Sequence, residues 1–350
     1  MRVTWRITMV LLVLGLATIV CFLPLLLHPG ELLVGAQRAG QNDLTAYFLG
    51  SREFPRRCWQ AFGQMPFWNP YLAGGMPHAG NPQSALWYPL NWPLWLLGAD
   101  TLVSWQLVLH HAIGGLGAFL LARRLGLTLS AALLAGVAYL GSPILMARTS
   151  EGHLTFVAVE AWAPWAFWAW DRLRADSRNG GALVLVLATC ILAGHTQATF
   201  YLCLALAALG VAELIRRYRA GESRSAWTLA TNAAIVGLFI LGLAMVEILP
   251  LFVYIKNSAR GMGALSGGST LSSAGPANLL QLLAPFIHGT PATYRGPGMY
   301  YWETLISLGV LPLLLAAVGV LAAFRFRSHF LAWVFLGLGA VLFALGGDTP

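Results

Sequence analysis

Residues 66–93 read PFWNPYLAGGMPHAGNPQSALWYPLNWP, and this stretch decides how we expect the rest of the chain to fold. We call it the proline block, because proline recurs along it far more often than its average usage of about 5%. Proline removes a backbone donor and breaks helix interiors, so the block cannot be a regular membrane-spanning helix. It predicts an ordered, irregular segment between helices.

The proline block and the residues just after it are also rich in aromatic rings. These are Phe67, Trp68, Tyr71, Trp87, Tyr88, Trp92 and Trp95. Amphipathic aromatic rings suit the membrane–water boundary, where one end of each ring is wet. We therefore expect the block to pack on the outer ends of membrane helices, with the remaining chain as its scaffold.

The composition predicts an all-α polytopic membrane protein. Of the 350 residues, 58% are hydrophobic and 10% are charged, and the mean hydropathy is +0.69. A soluble protein of this size would need far more polar surface. The net charge of +8 does not indicate nucleic-acid binding, because the basic residues form short clusters between apolar runs. The four cysteines give neither a disulfide framework nor a zinc spacing.

Nine apolar runs are long enough, or nearly so, to cross a membrane as helices. They are 8–27, 101–122, 127–147, 154–170, 181–194, 198–212, 228–249, 304–324 and 330–346. The fifth and sixth runs are short for a span of ~20 residues and could be one interrupted helix. Nine spans with a cytoplasmic N-terminus leave most of the 21 lysines and arginines in the cytoplasm. Fusing the short pair divides these residues almost evenly, so nine spans fit the positive-inside rule better.

This topology makes residues 1–350 a single transmembrane domain with two large external loops, 29–100 and 250–303. The first run could instead belong to a cleaved signal peptide. We prefer an uncleaved span, because the run exceeds the usual signal core of about 7–15 residues. The sequence stops directly after the ninth run, which indicates a chain truncated at its C-terminus.

Acidic residues in the external connections are the candidates for chemistry. Asp43 lies in the first external loop near Arg38 and Arg52, where a carboxylate could act as general base on an acceptor hydroxyl. The alternative is a solvated loop acid. Glu151 and His153 share a very short external connection. They could assist Asp43, hold a divalent metal with it, or be ordinary interfacial polar groups.

Ionisable residues inside apolar runs are rare and usually face a cavity or a partner. Glu160 lies about two turns below the outer surface and is our candidate for lining an external cavity. For His110 and His111 we expect neutral rings that bond a neighbouring helix. Lys256 and Arg260 are four residues apart, so on a helix they share a face. They could hold a phosphate group or contact lipid headgroups.

The sequence resembles the bacterial YfhO-like membrane proteins along essentially its whole length. The resemblance rests on WNPYLAGGMPHAGNPQSALWYPLN (68–91), Asp43, the Gly-His pairs at 152–153 and 194–195, residues 249–260 and the final Gly-Asp-Thr-Pro. That family is similar to the GT-C superfamily of integral-membrane glycosyltransferases, which use polyprenyl-phosphate sugars. Family members continue beyond the Gly-Asp-Thr-Pro position, so the resemblance also implies an N-terminal part.

The resemblance implies a GT-C-like fold and a set of site residues. It implies a catalytic acid at Asp43, a second acid at Glu151, and phosphate contacts from Arg260 and Lys256. The other expected substrate-binding residues are His153, Glu160, Trp68, Asn69, Asn81 and Gln83. No cofactor is certain, and a divalent metal stays open because its use differs among GT-C enzymes.

We therefore expect a glycosyltransferase of the bacterial cytoplasmic membrane. It would transfer a sugar from a polyprenyl-phosphate-linked donor to an envelope glycan, lipid or protein acceptor on the outer face, among membrane lipids and without nucleic acid. One alternative is a lipid or polysaccharide transporter or flippase, which would account for Glu160 and the two short runs. The other is a non-catalytic subunit of envelope assembly.

Overall fold

The computed structural model describes residues 2–33, 42–72, 74–258, 275–298, 300–325 and 330–344. Most of them are helical, which confirms the predicted helical class. The helices are α1 (Arg2–Cys21), α2 (Leu23–Leu27), α3 (Leu49–Phe62), α4 (Trp92–Leu97), α5 (Ala99–Arg124), α6 (Leu129–Leu140), α7 (Pro143–Ser150), α8 (Leu154–Ala175), α9 (Gly180–Leu192), α10 (Thr196–Arg219), α11 (Ser223–Lys256), α12 (Tyr301–Thr304), α13 (Val310–Arg325) and α14 (Leu331–Ala344). A π-helical turn, Leu44–Phe48, leads into α3.

Four helical segments of the described chain are long and apolar enough to cross a membrane. They are Leu102–Arg124, Leu129–Ser150, Thr196–Arg219 and Ser223–Lys256. The second of them combines α6 and α7. Shorter apolar helices cover Ile7–Cys21, Ser177–Leu192, Val310–Arg325 and Leu331–Leu342. Every predicted apolar run overlaps at least one helix, while the number of spans stays a prediction.

Small residues allow α5 to lie close to both α6 and α8. A Cβ on Gly136 of α6 would lie 2.9 Å from the Gly115 carbonyl oxygen of α5. A Cβ on Gly117 would lie 2.4 Å from the Trp165 side chain of α8. Membrane helices associate through such close packing, because lipid offers them no hydrophobic drive to pair. The α5–α8 contact helps to position the candidate site, because α8 begins there.

Residues 55–57 read Pro-Arg-Arg, a sequence that favours a solvated turn, whereas the structure places Pro55 inside α3. The neighbouring Glu53 explains the order here. Its Oε1 accepts a hydrogen bond from Arg56 Nη1 at 2.8 Å, and its Oε2 accepts one from the Ala99 N–H at 3.1 Å. Glu53 therefore caps the N-terminus of α5.

The proline block consists of short irregular elements. Its two short antiparallel strands are Trp68–Asn69 and Met76–Pro77, and its 3₁₀ turns are Pro82–Ser84 and Pro89–Asn91. A Cβ on Gly80 would lie 2.9 Å from the Pro250 carbonyl oxygen of α11. A Cβ on Gly194, just before α10, would lie 1.9 Å from the Pro82 carbonyl oxygen. Backbone contacts through these glycines hold the block against α11 and the α9–α10 turn.

Candidate active site

A carboxylate–imidazole pair forms where the start of the π-helical turn meets the start of α8. The Oδ2 atom of Asp43 lies 3.2 Å from the Nε2 atom of His153. The Asp43 side chain is 60% exposed, whereas the His153 side chain is 14% exposed. The pair therefore combines a reachable carboxylate with an anchored imidazole, which is a suitable arrangement for proton transfer to the carboxylate.

Backbone contacts hold the two segments of this pair together. The Asp43 N–H donates to the Glu151 carbonyl oxygen at 3.0 Å. Gly152 has a φ of +76°, and a Cβ there would lie 2.2 Å from the Leu44 Cβ. Glycine alone permits both this conformation and this close approach. The Gly152–His153 dipeptide therefore allows the π-helical turn to pack directly against the connection before α8.

Arg148 determines which nitrogen of His153 carries the proton. Arg148 Nη1 lies 3.1 Å from His153 Nδ1. A guanidinium group can only donate, so Nδ1 accepts this hydrogen bond. The proton then resides on Nε2, which faces the Asp43 carboxylate at 3.2 Å. Arg148 and His153 together orient the carboxylate.

Glu303 of α12 completes the network. Its Oε1 and Oε2 accept hydrogen bonds from Arg148 Nη1 and Nη2 at 2.7 and 2.9 Å. Burial alone would raise the pKa of Glu303, but the hydrogen bonds and charge of Arg148, with His153 and His195 nearby, hold that pKa below its ordinary value. The site is thus a series of contacts that runs from Asp43 through His153 and Arg148 to Glu303.

Aromatic rings surround this chain of charged groups. The Arg148 guanidinium lies 4.5 Å from the centroid of Phe156, whose ring meets that of His195 edge-on at 5.2 Å. The Trp302 ring meets the His153 ring edge-on at 6.4 Å between centroids. Tyr300 stacks on Trp302 at 5.0 Å and is 44% exposed. These rings limit the positions that Arg148 and His153 can adopt.

Glu151 lies beside Asp43 but is not exposed to solvent. The residue is 3% exposed, and its Oε1 has no hydrogen-bond partner in the described part of the chain. Burial, and secondarily the charge of Asp43, raise its pKa to about 7. The structure therefore brings both predicted acids together, with Asp43 exposed and Glu151 buried.

Glu160 and Lys256 have no hydrogen bond or ion pair with this network in the described part of the chain, although Glu160 lies within electrostatic range of Arg148. Glu160 is half-buried on α8, almost two turns beyond His153, and its carbonyl oxygen accepts a hydrogen bond from Tyr139. Lys256 is exposed at the C-terminal end of α11. Arg260 lies outside the described residues. The predicted phosphate-binding pair is therefore not tested by the structure.

The predicted substrate-binding residues of the proline block have local partners. Asn69 Oδ1 accepts a hydrogen bond from the Tyr71 N–H at 3.0 Å. Asn81 Oδ1 accepts one from the Gln83 N–H at 3.1 Å, and its Nδ2 donates to the Tyr47 hydroxyl at 2.5 Å. These contacts order the block, whereas Trp68 is 57% exposed.

Arg52, which is near Asp43 in sequence, forms no hydrogen bond or ion pair with it in the described part of the chain. Arg52 is 3% exposed and donates to the carbonyl oxygens of Gln83 and Ser84, so it stabilises the proline block instead. Burial lowers the pKa of Arg52 to about 10. Glu247 of α11 lies within electrostatic range of Arg52, but in the part of the chain that the structure describes it forms no ion pair and neither of its carboxylate oxygens has a hydrogen-bond partner. Arg38 lies outside the described residues.

The two histidines of α5 have the partners expected of neutral rings. His110 Nε2 lies 2.7 Å from the Tyr88 hydroxyl, and His111 Nε2 lies 2.8 Å from Thr149 Oγ1. The second contact links α5 to α7, close to the Arg148 segment. His111 therefore bonds a neighbouring helix as expected, whereas His110 links α5 to the proline block instead.

Metal binding finds little support in the geometry. The described residues contain no group of three or more His, Cys, Asp and Glu side chains placed to hold a metal ion. A cavity of about 600 Å³ lies elsewhere, at the opposite end of α8, where Arg174 and Arg217 are among its lining residues. The chemistry suggested by Asp43 and His153 is therefore not tied to that cavity.

The Arg148–Glu303 pair is the main feature that sequence reasoning missed. The two residues are 155 positions apart, and no motif links them. Arg148 was visible as the one basic residue in a short external connection that also carries Glu151 and His153. That clustering was the only available signal.

Comparison with known proteins gives no match. No family model, no curated protein and no solved structure matches the chain. The resemblance to YfhO-like proteins therefore stands on the residues quoted above, and the function has to be argued from the Asp43 site itself.

Proposed function

We propose that this protein is a membrane glycosyltransferase of the GT-C type. It transfers a sugar from a polyprenyl-phosphate-linked donor to a cell-envelope acceptor on the outer face of the bacterial cytoplasmic membrane. One observation carries the proposal: the exposed Asp43 carboxylate lies 3.2 Å from the half-buried His153 imidazole, which orients it. The resemblance to YfhO-like proteins supplies the substrate class.

In the proposed reaction, Asp43 is the general base. It accepts the proton of the acceptor hydroxyl as that oxygen forms a bond to the anomeric carbon of the sugar. The bond from this carbon to the phosphate oxygen breaks, and its electron pair leaves with the polyprenyl phosphate. The Nε2–H of His153 holds the carboxylate in place, and general base catalysis of this kind contributes typically 10²–10⁴-fold.

The proposed topology has nine spans with the N-terminus in the cytoplasm. It places the Asp43 site and the proline block outside, and the arginine-rich connections inside, as the positive-inside rule favours. The polyprenyl tail of the donor then stays in lipid while its headgroup meets the site. Lys256 and Arg260 remain proposed contacts of the donor phosphate.

A transporter or flippase is the second candidate, and one observation favours it. Glu247 is 1% exposed, lies within the membrane-spanning candidate Ser223–Lys256, and has no hydrogen-bond partner among the described residues. Intramembrane carboxyl groups of this kind often mark a substrate or ion path. No internal repeat of the sequence, however, supports the alternating-access architecture common in transporters.

The test compares the lipid-linked sugars and envelope glycans of cells with and without an intact full-length gene, by mass spectrometry. A glycosyltransferase predicts loss of one sugar from the acceptor and accumulation of its lipid-linked donor. Complementation with Asp43→Asn should fail to restore the sugar. Accumulation of a complete, sugar-modified lipid on the cytoplasmic side would favour the flippase instead.

A further inference from the structure

The guanidinium group of Arg148 forms an ion pair with a carboxylate of the same chain, that of Glu303. Its Nη1 and Nη2 atoms donate to the two oxygens of Glu303 at 2.7 and 2.9 Å. This is the parallel, bidentate geometry by which arginine also binds phosphate. Glu303 therefore occupies the place that a phosphate oxygen pair would take.

Arg148 is fixed by contacts that do not involve Glu303. Its guanidinium lies 4.5 Å from the Phe156 centroid, and its Nη1 lies 3.1 Å from His153 Nδ1. Its Nε is buried and has no hydrogen-bond partner in the described part of the chain. A buried donor without a partner is rare in folded proteins. Arg148 would thus keep its position if the Glu303 carboxylate moved away, and its Nε–H is a donor that Glu303 does not use.

Glu303 is the more accessible half of the pair. Its side chain is 31% exposed, whereas that of Arg148 is 11% exposed. The neighbouring Tyr301 is 3% exposed and packs against Tyr294 at 5.8 Å, so α12 has its own anchor. The Glu303 carboxylate can therefore swing away from Arg148 without unfolding α12.

We propose that Arg148 is an oxyanion-binding site and that Glu303 is a displaceable latch on it. A phosphate monoester or diphosphate group exchanges with the Glu303 carboxylate and lies next to the Asp43–His153 pair. The ligand chemistry is the phosphate group, carried by a lipid or free in solution. This inference rests on the proposed function for its role in the reaction, and it adds Arg148 as a phosphate contact beside Lys256 and Arg260.

The test measures binding of farnesyl phosphate to the purified chain in detergent micelles, with farnesol as the uncharged control. Glu303→Gln keeps the side-chain shape but removes the competing charge. It should tighten farnesyl phosphate binding by roughly tenfold, the size expected when a charge-assisted competitor is removed. Arg148→Ala combined with Glu303→Gln should abolish this gain. Arg178→Ala, at an exposed ion pair elsewhere, should change nothing.

Inorganic phosphate as a second probe distinguishes the two sources of the ligand. A gain with both probes indicates that the site takes the phosphate group itself, and a gain with farnesyl phosphate alone indicates a lipid-linked phosphate. Equal affinity in the wild type and Glu303→Gln would overturn the latch. So would an equal gain for farnesol, or a gain that persists without Arg148.

The result is independent of whether Asp43 is a base. Asp43→Asn should leave the Glu303→Gln gain intact, because Asp43 does not contact Arg148 directly in the described structure. If the wild type transfers sugar, Asp43→Asn does not, and Glu303→Gln still tightens phosphate binding in both backgrounds, both proposals are supported. If the wild type itself transfers no sugar but Glu303→Gln still tightens phosphate binding, the oxyanion site is supported and only the transferase is rejected. Glu303→Gln is a mild change at a partly exposed residue, so the test does not depend on the more disruptive Arg148→Ala.

Discussion

Asp43 meets the geometric requirements of a general base. Its carboxylate is exposed, its backbone N–H is fixed on the Glu151 carbonyl oxygen at 3.0 Å, and its Oδ2 faces His153 at 3.2 Å. A base needs both access to the acceptor and a defined orientation. The buried Glu151 lacks the first of these, which is why we assign the proton transfer to Asp43.

Asp43→Asn should lower turnover of the full-length enzyme by ~10²–10⁴, because an amide keeps the shape of the side chain but cannot accept the proton. Binding of the lipid donor and membrane insertion should persist. Sugar transfer measured in reconstituted membranes provides the check. Asp176→Asn, an exposed acid paired with Arg178, is the matched control and should retain activity. Normal turnover in Asp43→Asn together with inactive Glu151→Gln would move the base to Glu151.

Glu151 should make stability depend on pH. Burial, and then the charge of Asp43, raise its pKa from 4.5 to about 7. Its protonated form is favoured in the folded state, so its contribution to stability is full below about 4.5 and is lost as the pH rises through about 7. The unfolding temperature should therefore fall between these pH values more steeply in the wild type than in Glu151→Gln. Parallel curves would show that Glu151 does not titrate in this way.

At the scale of elements, the site depends on how closely the π-helical turn approaches the connection before α8. Gly152→Ala places a Cβ 2.2 Å from the Leu44 Cβ at a φ of +76°. Gly126→Ala is the matched control, because its φ is +88° with nothing within 4 Å. Both variants carry the left-handed penalty of about 1–2 kcal/mol. Gly152→Ala should lose a further ~1–3 kcal/mol from overpacking, seen as a lower unfolding temperature. Equal losses would mean that the two segments can separate freely.

Two glutamates on membrane-spanning candidates should respond oppositely to neutralisation. Glu213 accepts hydrogen bonds from Arg216 at 2.8 and 2.9 Å and from Arg217 at 2.8 Å. Glu213→Gln should therefore cost about 1–3 kcal/mol. Glu247 lacks hydrogen-bond partners, so Glu247→Gln should be neutral or stabilising. Thermal unfolding in one detergent compares them directly, and a larger loss in Glu247→Gln would reveal a partner for that carboxylate.

The helices could be predicted from sequence because membrane spans depend on local properties. The length and apolarity of each run placed the helices, and the prolines of residues 66–93 ruled out a helix there. The close positions of Glu151 and His153 in sequence also indicated a shared site with Asp43. The Arg148–Glu303 pair could not be predicted, since it joins residues 155 positions apart through tertiary packing. The role of Glu53 as a cap of α5 was missed for the same reason, because it depends on how α3 packs against Ala99.

At the scale of the whole molecule, the proposed function requires the Asp43 site to face outward. Cys58 tests this orientation, because it lies on α3 in the same loop and is half-buried. An impermeant thiol reagent added to intact spheroplasts should label Cys58, since the positive-inside rule places this loop outside. Cys58→Ser should abolish the signal and thus exclude labelling of the other three cysteines, Cys21, Cys190 and Cys203. A reporter at Ser177→Cys in that background, in an arginine-rich connection, should react only after the membrane is broken.

Labelling with the reverse pattern would invert the topology and place Asp43 in the cytoplasm. In that case a lipid-linked donor displayed on the outer face could not reach the base.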